Sequence, residues 1–234
     1  MKRLKLPDNL TTLAYKHIKN FVLQGKLAEG ERLTEEFVST ALGISKSPVR
    51  EALNRLEAEG LIHIEPRKGA SVRSFTRSEI FDLYDLREAL EVHAVGSAKI
   101  TDRMLKDLRD SVRRQRSCRT RNDKMGYIEE DVRFHSIIAG ATGNQRLCQE
   151  LENLQNQLRL LRLKTYDLSS SVAVEIHTKL VETLADSSRS AAQDLMREHL
   201  RGTCQKLLNH VAAPDQTAAD QASQFVSPAS PAAG

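Results

Sequence analysis

The 234-residue chain is 40% apolar and 28% charged, the balance of a globular protein with material for one or two cores, and no stretch approaches the ~18 apolar residues that a membrane span requires. The basic opening MKRLKLPDNLTT lacks the apolar segment of ~7–15 residues of a secretory signal, and Cys118, Cys148 and Cys204 match neither a disulfide framework nor a CxxC metal site, so a cytoplasmic protein with reduced thiols and no membrane contact is expected. The formal charge of +4 divides into +5 over residues 1–77 and −1 over the remainder, which points to an anionic partner for the first part.

Ala14, Ile18, Phe21 and Val22 give a helical spacing over Thr11–Gln24, and Gly25 follows as a stop. Thr34 can cap a second helix whose first turn holds Glu35 and Glu36, at the positive end of the helix dipole, with Gly43 just past its end. After only Ile44 and Ser45 a third helix opens at KSPVREALNRLEAEG, with Pro48 in its first turn and Gly60 beyond its end. Two helices joined through a tight glycine-containing connection form a helix-turn-helix. LIHIE (61–65) and ASVRS (70–74) read as strands around the turn PRKG, which makes a wing. From Ser78 onward helical periodicity takes over, predicting helices near 78–99, 102–119, 123–140, 144–164, 171–186 and 188–210. The fold class is therefore mainly α. A winged helix-turn-helix domain over 1–75 precedes an all-α helical-bundle domain over 78–212. The Ala/Ser/Pro/Gln-rich tail 213–234 is expected to be disordered.

If Val49, Ala52, Leu53 and Leu56 hold the third helix against the first two, then Lys46, Ser47, Arg50 and Asn54 fall beside or opposite that stripe and can enter a groove, with Ser45 just ahead of them. Hydroxyls and cationic groups there suit phosphates, and the Arg50 guanidinium suits O6 and N7 of a guanine. Arg67 and Lys68 at the wing tip add phosphate or minor-groove contacts, and Gly69 permits close backbone approach. Each alone reads as a solvated charge; together with the helix-turn-helix and wing they predict binding to double-stranded DNA. One short helix reads only a few base pairs, so a homodimer on an inverted repeat is expected.

The run LTEEFVSTALGISKSPVREALNRLEAEGLIHIEPRKGASV resembles the winged helix of GntR-family transcriptional regulators, and DLYDLREALE is similar to the opening of the FadR-type ligand-binding domain. The resemblance covers nearly the whole chain apart from the tail. It implies a ligand-responsive regulator, most simply a repressor. Lys46 stands where this family more often has Arg, and a lysine can still contact guanine or phosphate.

Ile128, Asp131, His135 and Ile138 are spaced 3, 4, 3 and share one helix face; Val174, His177, Val181 and Leu184 repeat that spacing, and Ala192, Met196, His199 and Thr203 give a 4, 3, 4 version. A lone inward histidine is usually a hydrogen-bonded core residue. Three helices aiming ionisable groups inward are harder to read that way, because burying them costs several kcal/mol unless each finds a partner. One divalent cation (Zn, Ni or Mn) satisfies all four and leaves open positions for a small carboxylate effector. The arrangement also resembles the metal-binding subset of FadR-type domains, in which an Asp-x-x-x-His pair and two later histidines hold the ion. Asp131, His135, His177 and His199 match that pattern, with Ile176 where a Glu usually precedes the third ligand. Arg87 either reaches an effector carboxylate or pairs with Glu91 at i+4. The cluster RRQRSCRTR (113–121) reads as a solvated helix face. Two other functions fit the metal ligands: a metal-dependent hydrolase-like enzyme, and a regulator that senses the metal itself. Against the enzyme, no further Glu, His or Ser is placed as an evident base or nucleophile.

Overall fold

The computed structural model describes residues 10–27 and 31–210, so the tail 213–234 and most of the basic opening lie outside the described residues. Helices α1 (Leu10–Leu23), α2 (Glu35–Leu42) and α3 (Lys46–Ala58) form the helix-turn-helix. The Phe37 N–H donates to Thr34 Oγ1 (3.1 Å), which caps α2. Gly43 ends that helix in the left-handed region (φ 65°), its N–H donating to carbonyls of the last turn. Ala14, Ile18 and Val22 of α1 close on Val49, Ala52, Leu53 and Leu56 of α3, all buried. Each large aliphatic side chain there contributes about 1.5–3 kcal/mol.

The wing is a hairpin of β2 (Ile62–Glu65) and β3 (Gly69–Val72), paired Ile62 to Val72 through Glu65 to Gly69. A third strand, β1 (Arg32–Leu33), pairs with the other edge of β3, giving the order β1-β3-β2. It was absent from the sequence reading because two residues carry no alternation to detect. Gly69 has φ 90°, and a Cβ there would lie 2.8 Å from Leu33 O. The glycine is thus explained by the approach of β1 within the wing itself.

The bundle comprises α4 (Arg77–Ser97), α5 (Asp102–Thr120), α6 (Lys124–Gly140), α7 (Gln145–Ala185) and α8 (Arg189–His210). A capping box between Thr76 and Glu79 opens α4. The helices expected over 144–164 and 171–186 are one helix of 41 residues, about 60 Å long. The polar run KTYDLSSS between them contains no glycine or proline. Its hydroxyls bond to carbonyls four residues back, Thr165 Oγ1 to Leu161 O and Ser169 Oγ to Thr165 O, so they satisfy themselves within the helix instead of ending it. Leu158, Leu161, Thr165, Tyr166 and Val174 keep α7 buried across the run. Among the described residues, no helix is long and apolar enough to cross a membrane.

Candidate metal centre and nucleic-acid interface

Helix α6 delivers Asp131 and His135, α7 delivers His177 and α8 delivers His199, each no more than 5% exposed. One ligand nitrogen from each histidine lies within 4.8 Å of those of the other two. His177 Nε2 and His199 Nε2 are 3.2 Å apart. Asp131 Oδ1 stands 4.0 Å from His135 Nε2 and 3.9 Å from His177 Nε2. A tetrahedral ion with bonds of ~2.0–2.1 Å separates its ligand nitrogens by roughly 3.3 Å, close to the observed His177–His199 spacing.

The outer edge of the His177 ring fixes its tautomer. His177 Nδ1 lies 2.9 Å from Gln115 Oε1, an acceptor, and His135 Nδ1 abuts Glu91 Oε2. For His177 the acceptor at Nδ1 places the proton there and leaves the Nε2 lone pair directed at the centre, as metal ligation requires, whereas His135 Nδ1 and Glu91 Oε2 are close without forming a hydrogen bond. The rings are also packed: Phe134 stacks on His177 with centroids 4.1 Å apart. Burial, partly offset by Asp131, holds His177 at about 4. Burial and the Arg87 guanidinium push His135 well below the usual imidazole value, and burial with the other two imidazoles does the same to His199. All three are neutral near pH 7. Burial raises the Asp131 carboxyl, but Arg162, then His135, His177 and Arg87, outweigh it and keep the group ionised. Neutral nitrogens and one carboxylate oxygen are a donor set that suits Zn, Ni or Mn.

The centre has charged neighbours that the sequence reading placed only in part. The expected i,i+4 pair exists, with Arg87 Nε 2.6 Å from Glu91 Oε1, yet both groups are nearly inaccessible rather than on the surface. Arg87 also donates through Nη2 to His135 Nε2 (3.0 Å), and Gln155 Nε2 donates to Glu91 Oε1 (3.1 Å). Arg162 was missed: its Nε lies 3.0 Å from Asp131 Oδ2 at the core. Its position between Leu158, Leu161 and Thr165 on the buried face of α7 was the available signal.

In the winged helix, Ser45, Lys46, Ser47, Arg50 and Asn54 are exposed at α3, and Arg67 and Lys68 at the hairpin tip. The Ser45 side chain makes no capping bond. Arg50 is held in a two-pronged pair with Glu35, at 2.7 Å on both arms, and Lys46 lies 3.6 Å from Glu36. Lys68 pairs with Glu65 at 2.9 Å, and Arg67 adopts φ 66° in the turn. The first turn of α2 therefore supplies carboxylates to the cations of α3, contacts that phosphates or base edges would have to replace.

Comparison with known proteins matches residues 10–72 to the bacterial regulatory proteins of the gntR family and residues 82–202 to the FCD domain. The Nta operon transcriptional regulator of Aminobacter aminovorans is 30% identical over 180 residues, covering 74% of this chain and 82% of that protein. The transcriptional repressor RspR of Escherichia coli is 25% identical over 191 residues, covering 80% and 84%. Among solved structures, a GntR transcriptional regulator from Rhodococcus sp. RHA1 superposes with a TM-score of 0.76 at 23% identity, covering 85% of this chain and 97% of that one. McbR/YncC of E. coli also reaches 0.76 at 21% identity, covering 88% and 100%. Both likenesses support the winged helix and helical bundle as a fold.

Proposed function

Because this chain belongs to the gntR family of bacterial regulatory proteins and carries an FCD domain, and so is a DNA-binding transcriptional regulator and not an enzyme, we propose that it is a cytoplasmic, homodimeric repressor whose bundle binds one divalent metal and a small carboxylate effector. Asp131, His135, His177 and His199 hold the metal. The ion ties α6, α7 and α8 together and offers open positions to the acid, and Arg87 meets the effector carboxylate. Ser45, Lys46, Ser47, Arg50, Arg67 and Lys68 form the DNA-facing surface over residues 1–75, on an inverted-repeat operator, and Gly69, packed against β1, supports the turn that presents Arg67 and Lys68.

The observation that carries the metal reading is the convergence of three imidazole nitrogens in a buried core, with Asp131 Oδ1 3.9 Å from His177 Nε2 and Gln115 hydrogen-bonded at the far edge of the His177 ring. The placement of Arg87, 3.0 Å from His135 Nε2, argues against the metal as the sole signal. A bare dication beside a buried guanidinium is repelled unless an anion stands between them. The repressor reading draws on RspR, whose name describes a repressor. The test is elemental analysis of protein purified without chelator or a metal-carrying tag, with melting temperature and operator affinity measured before and after metal removal. About one equivalent of metal and a fall in melting temperature on its removal are expected. Protein that carries no metal, and gains no stability from added Zn, Ni or Mn, would return the four residues to a hydrogen-bonded core.

A further inference from the structure

With its imidazoles neutral, the polar core of the bundle contains, among the described residues, two cations and two anions: Arg87 and Arg162 against Glu91 and Asp131, each at least nine-tenths buried. Arg87 pairs with Glu91 and Arg162 with Asp131, so the interior is electrically balanced. A divalent ion among the histidines would leave it at +2. Uncompensated charge of that size is strongly unfavourable inside a protein, and a monocarboxylate cancels only half of it.

Arg162 offers a place for the second negative charge. Its Nε faces Asp131 Oδ2 at 3.0 Å, the same carboxylate whose Oδ1 points at the imidazoles. Its Nη1 and Nη2 are buried and have no hydrogen-bond partner among the described residues. Leaving such donors unmade is costly, and the paired Nη edge of a guanidinium is the geometry that receives a carboxylate in two-pronged fashion. Asp131 thus positions Arg162 beside the centre while leaving that edge for something else.

Building on the proposed metal site, we propose that the effector is a small dicarboxylate, one carboxylate shared between the metal and Arg87 and the other held by the Nη edge of Arg162. The dianion restores electrical balance and satisfies the orphaned donors in one step. Metal and acid then favour each other's binding, since each carries the charge that makes the other tolerable.

The test is calorimetric titration of the metal-loaded full-length chain with the unbranched dicarboxylates from malonate to adipate and with monocarboxylates of matching length. At least one dicarboxylate should bind tenfold or more tightly than its monocarboxylate counterpart. Arg162→Gln should abolish that advantage, because dicarboxylates lose the paired donors while a monocarboxylate now suffices to balance the metal-loaded core, and Arg162→Lys, which keeps the charge but not the paired donors, should fall between. Equal affinities throughout the series, or a dicarboxylate advantage that survives in Arg162→Gln, would overturn the proposal. The wild-type comparison needs no variant, so an unstable Arg162→Gln chain does not shield it. Metal content separates the two readings: a chain without metal overturns both, whereas a metal-loaded chain with no preference for dianions overturns the dicarboxylate alone.

Discussion

Acidification of the metal-free chain should unfold it in a window set by its buried imidazoles. His177 is inaccessible to solvent, and its folded-state value of about 4 lies below the ordinary 6.5. The unfolded chain therefore takes up the proton first. The stability contributed by the neutral ring is complete above pH 6.5 and is lost as pH falls from there through about 4. That displacement corresponds to at most about 3 kcal/mol for His177 alone, or roughly 6–12 °C in melting temperature for a chain of this size. His135 and His199 act in the same direction. Asp131 has the opposite chemistry but the same sign: its carboxyl sits below 3.8, so its contribution is lost only under more acid conditions. The assay is urea unfolding of chelator-treated protein, followed by circular dichroism at a series of pH values from about 7.5 to 4.5. His177→Asn, whose amide can replace Nδ1 as donor to Gln115, should flatten part of the slope. Constant stability across that range in the wild type would show that the rings titrate normally, and the buried, neutral centre would be wrong.

Three predictions concern DNA. Glu35→Gln should tighten operator binding by up to about fivefold, because the exposed Arg50–Glu35 pair must be broken for Arg50 to reach a base; anisotropy at fixed salt measures it, and weaker binding would contradict it. Arg50→Ala should cost ~1–3 kcal/mol per half-site and relax base preference at one position; full affinity in a binding isotherm would remove α3 from the groove. Lys68→Ala should make the dependence of log affinity on log salt shallower by about 1 while leaving base preference intact; a changed preference in a competition assay would contradict a phosphate contact.

Local chemistry made the winged helix legible. Thr34, Gly43 and Pro48 mark α2 and the start of α3 by mechanisms that need no distant residue, and the turn PRKG does the same for the hairpin. The helix-face arithmetic that put Asp131, His135, His177 and His199 inward agrees with their burial, because α6, α7 and α8 are regular where they carry those residues. Features depending on partners far along the chain were not legible. Strand β1 pairs with β3 where Gly69 leaves room for Leu33, since a Cβ there would lie 2.8 Å from Leu33 O. The break expected after residue 164 followed the polarity of KTYDLSSS, whereas packing on both sides and bonds to carbonyls one turn back carry α7 through it. Arg162 and the buried state of the Arg87–Glu91 pair escaped for a related reason. A charged residue on a helix is read as solvated until its partner, here Asp131 one helix away or His135 48 residues on, is known.

Continuity of α7 also joins the polar core to the DNA-reading end. Over a few residues it turns Arg162 toward Asp131 and presents Leu160, Leu161 and Leu163 to Val22, Gly25 and Leu27 of the winged helix. One turn earlier, Gln157 Nε2 donates to Glu59 O at the C-terminal end of α3 (3.1 Å). An acid that engages Arg162 acts on the same rigid segment that holds the end of α3, so its effect on DNA must pass through contacts such as Gln157–Glu59. Gln157→Leu keeps much of the side-chain volume and removes that bond, which is worth ~0.5–1.5 kcal/mol. The variant should bind metal and acid as the wild type does, and the ratio of operator affinities with and without saturating acid should shrink by roughly two- to tenfold. Anisotropy titrations on one operator, repeated at zero and saturating acid, give that ratio directly. An unchanged ratio would overturn this route: with both affinities kept, the signal passes elsewhere, for example through the Arg73–Glu79 pair between β3 and α4, and with both lowered in proportion, Gln157 only stabilises the winged helix.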